Sequence, residues 1–453
     1  MNSLRRVPLY VVLVLALLVV GVVSSISKSV DPSQLPSALA LNGNAESTAL
    51  YCTGFTSHGV GAPGRVIFLN TTKSSHEVTI DDVSNLGLSQ STQVKLRPYQ
   101  QYGFDPSVGI GGDYFGVGAQ VSGGGVVGVE VSKDHASEAP CISTGVTNWF
   151  ASGFDTTVGS SAVLSVYNPT ATPAVFNVST FSASGYVAPA KFQGYAVGPH
   201  SQAEINLGTA IVDLQNIGVH VRVLRGALDI VGLQQSGSTA SINPGVSAPS
   251  ASAIFPLVTT ANNATAQIRL ANPGPRSINV TLAVALAPYH VPNQTLTLAP
   301  YGSAVASITP NSAIPAASYA SVSMTASAPV ISSLATGSGD DVALSAPSSS
   351  EPEYLIGDFT GDGFDAATLT NTSSRPLSLT IDTLPDSRTV RVSDTVVHLD
   401  ADSSESVKSA LPGLTDLRGV VMIVTASRPS LVVTMTLPTR PAGMTVVSGL
   451  DGR

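Results

Sequence analysis

The sequence predicts an all-β protein, with an N-terminal transmembrane helix followed by four tandem antiparallel β-sandwich units of about 100 residues each. Three observations carry this. An uncharged apolar run stands near the N-terminus, one strand pattern recurs four times, and no stretch of ten or more residues has the periodicity of an amphipathic helix. The composition agrees: of 453 residues 11% are charged and 43% apolar, with 41 Gly and 30 Pro to punctuate short strands. The formal charge of −8, with only 21 Lys and Arg, excludes the basic footprint that nucleic-acid binding needs.

Residues 7–27, VPLYVVLVLALLVVGVVSSIS, carry no charge. At ~1.5 Å per residue such a helix is about 31 Å long, enough to span a bilayer. Arg5 and Arg6 precede it, and Lys28 after it is soon offset by Asp31. The positive-inside tendency then leaves the N-terminus in the cytoplasm and makes the protein single-pass, with its C-terminal region extracytoplasmic. A cleaved signal peptide is the alternative, since Val22, Val23 and Ser24 offer small residues near a cut. The run exceeds the usual apolar core of such a signal, which favours a retained anchor.

Export makes a disulfide the simplest use of the two cysteines, Cys52 and Cys141. Closing a loop of about 90 residues contributes on the order of 4 to 5 kcal/mol in the chain-entropy model.

The repeat is read by setting the chain against itself. VIFLNTTKSSHEVTI, LSVYNPTATPAVFNV, IRLANPGPRSINVTL and ATLTNTSSRPLSLTI share an Asn at one offset: Asn70, Asn168, Asn272 and Asn371. Positions two and four before it, and eight and ten after it, are apolar in all four copies. Polar residues fall between them, the period-two signature of two half-buried strands joined by a turn that the Asn begins. A second marker follows: LRPYQ at Pro98, VGPHS at Pro199 and LAPYG at Pro300, with VVHLD near Leu399 in the fourth copy. A third, such as VGAQV then VVGVEV around 122–125, reads as a late hairpin, repeated around 224–227, 325–329 and 425–429.

The resulting organisation is 1–45 as cytoplasmic stub, membrane helix and tether, then units at 46–146, 147–250, 251–348 and 349–453. Short joints such as SAPSASA and SAPSSSEPE predict a rod with limited bending. The anchor, the YCTGF segment at Tyr51, the NWFASG segment at Trp149 and the fourfold NP or NT pattern resemble an uncharacterised family of actinobacterial membrane-anchored secreted proteins of unknown function. The single units resemble bacterial immunoglobulin-like or fibronectin-like sandwiches. The resemblance implies a cell-envelope setting and brings no catalytic residues.

Chemistry is sparse. The seven histidines are scattered over the units, and there is no Gly-x-Ser-x-Gly elbow or His-Glu-x-x-His helix. Asp81-Asp82 and Asp340-Asp341 read as solvated loop acids. GDFTGDGFDAATL resembles an aspartate-rich calcium loop in which Asp358, Thr360, Asp362 and Asp365 would supply oxygens; a solvated turn is the plainer reading. No other cofactor is expected. Residues 97–118 gather Tyr99, Tyr102, Phe104, Tyr114 and Phe115, with Arg97 and Asp113, a candidate platform for sugar rings or a peptide unless the rings simply fill a sandwich end. Sequons at Asn70, Asn177, Asn263, Asn279, Asn293 and Asn371 read mostly as chance in a Ser/Thr-rich chain. The expected function is a non-enzymatic envelope scaffold or interaction protein. Its partners would be the membrane through residues 7–27 and an envelope polysaccharide or another envelope protein. The alternative is a polymer-binding protein that uses the aromatic loop.

Overall fold

The computed structural model describes residues 47–451 apart from 59–63, 133–137, 238, 260–264, 287–288, 312, 316–318, 339–340, 346, 348–352, 358–365, 385–394, 402, 412–420, 429–430, 439–443 and 449. The predicted anchor at 7–27 and the aspartate loop at 358–365 lie outside these residues. Among those described, no helix is long and apolar enough to cross a membrane.

The described chain is all-β, and strand pairing stays within four successive sets. In the first, a front sheet orders β1 (Ser47–Thr56), β6 (Tyr114–Ser122), β3 (His76–Ser84) and β4 (Ser89–Leu96). Its back sheet orders β5 (Gln101–Phe104), β2 (Arg65–Asn70), β7 (Val126–Val131) and β8 (Glu138–Pro140). The second set repeats this, with a front sheet of β12 (Gly185–Val187), β11 (Ala174–Ser182), β15 (Ile217–Arg225) and β9 (Asn148–Phe154), and β13 (Tyr195–Val197) also on β11. Its back sheet is β14 (Ser201–Asn206), β10 (Ser160–Asn168), β16 (Asp229–Ser236) and β17 (Thr239–Asn243).

In the third set, β18 (Ser250–Thr259), β20 (Ile278–Leu286), β21 (Tyr289–His290) and β22 (Gln294–Leu298) form the front, and β19 (Thr265–Ala271), β23 (Ser303–Ile308) and β25 (Asp341–Ser345) the back. The long β24 (Tyr319–Ser338) runs through both. The fourth has β29 (Thr395–Leu399), β28 (Leu377–Thr383), β31 (Val421–Ala426), β26 (Glu353–Gly357) and β34 (Leu450–Asp451) in front, and β30 (Ser404–Ser406), β27 (Ala366–Asn371), β32 (Leu431–Pro438) and β33 (Met444–Ser448) behind.

Each pair of sheets shares a core: Leu50, Phe68, Ile80 and Phe115 meet in the first set, Leu164, Phe176 and Val219 in the second. Ile268, Leu282 and Met324 meet in the third, and Leu369, Ile381 and Val424 in the fourth. Every apolar position of the repeat whose side chain is described is buried. Cys52 and Cys141 are disulfide-bonded within the first core.

The third marker is not a hairpin. β6 pairs in the front sheet and β7 in the back, as do β15 and β16, and β31 and β32, so the chain changes sheets at each of these turns. In the third set no turn forms at all, and β24 passes unbroken from one sheet to the other. Two apolar runs around a short turn are compatible with pairing or with crossing; the need of each run to bury a face against the opposite sheet selects crossing. Asp81 and Asp82 lie within β3, not in a loop.

The repeated Asn explains how the crossings hold. It ends the second strand of the back sheet, or directly follows it, where the chain leaves for the front sheet. Asn168 Nδ2 donates to Thr172 O and Gly198 O, both at 2.8 Å, and its Oδ1 accepts from Thr170 N at 3.0 Å and Thr170 Oγ1 at 2.8 Å. Asn70 bonds Ser74 O at 2.6 Å and Arg97 O at 2.9 Å; Asn272 bonds Arg276 O at 2.7 Å and Ala299 O at 2.8 Å. Asn371 reaches Arg375 O and Asp400 O, both at 2.8 Å. The more distant carbonyl always sits where the chain returns from front to back, so one amide ties both crossings.

All four Asn side chains are buried, and their donors and acceptors match what an amide offers. In three copies Pro follows the bonded carbonyl and the next residue is left-handed: Tyr99 (φ 56), His200 (φ 45) and Tyr301 (φ 56). This is the type II turn that Pro at its second position favours, closed by Gln100 N to Arg97 O at 3.1 Å and Gly302 N to Ala299 O at 3.0 Å.

The described residues belong to one compact unit, in which front sheet meets back sheet from set to set. Tyr51 approaches Tyr167 with ring centroids 6.4 Å apart, and the hydroxyls of Ser152 and Ser333 lie 3.1 Å apart. β18 lies against β27 and β32. Gly116 and Gly218 occupy matching places, where a Cβ would come within 2.6 Å of Tyr167 Cδ2 and 2.3 Å of Ala271 Cβ. The series then returns on itself: Leu384 and Val421 of the fourth set are buried with Ile67, Leu69, Val127, Val129 and Val131 on the outer face of the first back sheet. The last back-sheet strands also lie side by side, β8 with β17, β17 with β25, and β25 with β33. The expected rod is therefore corrected to a closed circuit. An apolar outer face on β2 and β7 has to be covered, and the fourth set covers it.

Two predictions follow from this geometry. Asn168→Ala should cost on the order of 3 kcal/mol, read by urea unfolding, because it strands buried carbonyls and an N–H. No measurable loss from Asn168→Ala would contradict the corner. Val129→Asp should enlarge the radius of gyration in small-angle scattering; an unchanged radius would mean that the closing contact is not what holds the first and fourth sets together.

Candidate functional site

The structure does not bring the five rings of 97–118 into one platform. Tyr99 is the left-handed turn residue and packs on the cluster that joins the first and fourth sets. Tyr102 and Phe104, on β5, and Phe115, on β6, pack into the first core. Arg97 is exposed and holds the Gln100 amide through its backbone N–H at 2.9 Å. Asp113 and Tyr114 go elsewhere. Asp113 Oδ1 lies 3.4 Å from His58 Nε2, and Tyr114 begins β6 beside the second set.

His58 and Tyr114 line a shallow, open cleft of about 70 Å³ between the first two sets. Val163, Leu233 and Ile242 supply its apolar part, and Ser161, Gln235 and Thr56 its polar one. Burial, then the charges of Glu204 and Asp113, raise the Tyr114 phenol above its ordinary value, so it stays a neutral hydroxyl.

The contact beside the cleft holds two buried acids. A β-bulge between Cys52 and Phe55 takes the N–H groups of Thr53 and Gly54 out of the ladder. Glu130 of β7 accepts both, the Gly54 N–H at 3.1 Å. Across the contact, Asp229 of β16 is 2% exposed, and its Oδ2 has no hydrogen-bond partner. Burial first, and then the charge of Asp229, push Glu130 well above the usual carboxylate range against the pull of the Gly54 and Thr53 bonds. Burial raises Asp229 to about 7, opposed by its bond to the Ile230 N–H. Around them Thr53 Oγ1 donates to Gln202 Oε1 at 2.9 Å, Gln202 Nε2 to Ser165 Oγ at 2.6 Å, and Ser165 Oγ to Thr53 O at 2.6 Å. Tyr167 and Tyr51 are likewise raised, chiefly by burial.

Ligand atoms of Cys52, Cys141 and Glu130 lie within 4.8 Å of one another, but the two sulfurs are spent in the disulfide. His220 is lowered to about 4 by burial and then Arg222, and stacks on Phe150 at 4.1 Å between centroids, a packing role. The sequons at Asn70 and Asn371 fall on buried corner amides. Sequence reasoning passed over Glu130 and Asp229; a lone acid within VVGVEV, and another opening DIVGL, were the available signals.

Fold and site together define an all-β protein of small antiparallel sheets in series, whose buried polar groups concentrate at crossings and at contacts between sets. The chain belongs to a family of unknown function, DUF5719, whose model matches residues 135–410. No curated protein matches it. A solved structure described as a tetra-tandem repeat in the extending region of a large adhesion protein aligns at 13% identity over 84% of this chain and 94% of its own, with a TM-score of 0.10 that carries no argument.

The raised acids make the contact pH-sensitive. The folded state binds a proton at Asp229 up to about pH 7. The unfolded chain releases it near pH 4. Stability is therefore fullest on the acid side and falls as pH rises through that window. Asp229→Asn should raise the melting temperature at pH 8, by about 2–4 °C for each kcal/mol recovered, and change it little at pH 5. Equal shifts at both pH values would sink the assignment.

Proposed function

We propose that the protein is a non-enzymatic, membrane-anchored extracytoplasmic scaffold and interaction protein of the cell envelope. Its exported part would be four immunoglobulin-like sandwich units at 46–146, 147–250, 251–348 and 349–453. The observation that carries this reading is the use made of the polar side chains. Each set spends its Asn on the same corner, and Thr53, Glu130, Ser165 and Gln202 are engaged in holding the first set and its contact with the second. Such groups serve architecture, and a rigid body tied to a membrane presents its loops at a fixed distance from it. The aromatic-loop alternative is weaker for want of a shared ring surface.

Val158 is fully exposed and suits a topology test. Val158→Cys in intact cells should react with a membrane-impermeant maleimide, and the same cells after crosslinking should yield an envelope polymer or protein bound to the chain. Labelling only after lysis would overturn the extracytoplasmic placement.

A further inference from the structure

We propose that the cleft between the first and second sets is a binding site for a neutral oligosaccharide, a role beyond that of a scaffold. The argument rests on its chemistry. Val163, Leu233 and Ile242 make an apolar surface of the kind that accepts the C–H face of a sugar ring, and the Tyr114 ring stands beside it. Among the described residues, Ser161, Gln235 and the Tyr114 hydroxyl make no side-chain hydrogen bond, and all three line the cleft. Its one basic side chain among the described residues, His58, has Nε2 3.4 Å from Asp113 Oδ1. The described lining holds no Lys or Arg to take a phosphate or another anion, and its hydroxyls and amides suit a ligand whose polarity is all hydroxyl and amide.

The walls come from different sets: His58 and Tyr114 from the first, Ser161 and Gln235 from the second. The site exists only while the two are docked. Ligand binding therefore adds its free energy to the contact that Glu130 and Asp229 weaken as pH rises. A sugar bound here would hold the first two sets together under conditions in which the acids alone loosen them.

The test uses the full chain in a detergent without a sugar headgroup, with chitotriose, maltotriose and xylotriose offered separately. Saturation-transfer NMR should show binding of at least one, and the melting temperature should rise in its presence. Gln235→Ala and Ser161→Ala should each weaken binding about tenfold, and Val396→Ser, at an exposed position of the fourth set, should leave it unchanged. Absence of transfer from all three sugars, or binding indifferent to both cleft substitutions, would overturn the site. Either result leaves the scaffold reading to its own labelling test.

Discussion

One hydrogen-bonding arrangement organises the whole described chain: a buried asparagine amide that grips the backbone at two separate crossings between sheets. A sheet pair is stable only if both sheets bury their inner faces, and each crossing exposes backbone groups that no ladder can satisfy. The Asn amide has two donors and a two-lone-pair acceptor, and in three of the four sets all are taken up by backbone and a neighbouring hydroxyl. Asp could not donate, and a longer amide would not fit the same span. In the fourth set the arrangement persists without Pro, since Asn371 still reaches the Asp400 carbonyl. Proline thus favours the turn, while the amide defines it.

Contacts between sets follow a different logic. Each repeats a geometry, front sheet upon back sheet, but fills it with other chemistry. Hydroxyls and acids join the first set to the second, Phe150, Phe181, Ala271 and Ile331 join the second to the third, and at the return contact Leu384 and Val421 meet aliphatic residues of the first set and Tyr99. Different fillings make each contact specific to its neighbours, which keeps four similar sets in one order. The polar contact carries the least certain protonation and is the natural place for conditions outside the protein to act.

Much of this was legible in the sequence. Asn, the flanking apolar alternation and the Pro marker located strands, cores and turns, because those depend on neighbours within a dozen residues. The disulfide was legible from two cysteines in a chain read as exported. What escaped depends on distant partners. VGAQV and VVGVEV look alike whether they pair or part, and only the opposite sheet decides. VVGVEV is buried along both faces, a sign of cover on its outer side that a residue pattern shows but cannot attribute. Of the seven candidates at 97–118, Tyr102, Phe104 and Phe115 turn into one core and the other four lie outside it, because a strand turns its side chains to alternate faces and the segment spans two sheets. Glu130 and Asp229 acquire meaning only from each other.

The closing contact joins residues near the beginning of the folded chain to residues near its end. During synthesis the first set completes its core long before Leu384 and Val421 emerge from the ribosome. For all that time Ile67, Leu69, Val127, Val129 and Val131 stand uncovered on a finished domain, a sticky strip awaiting its lid. A nascent chain of this kind has a built-in interval of vulnerability, set by translation rate and not by folding rate.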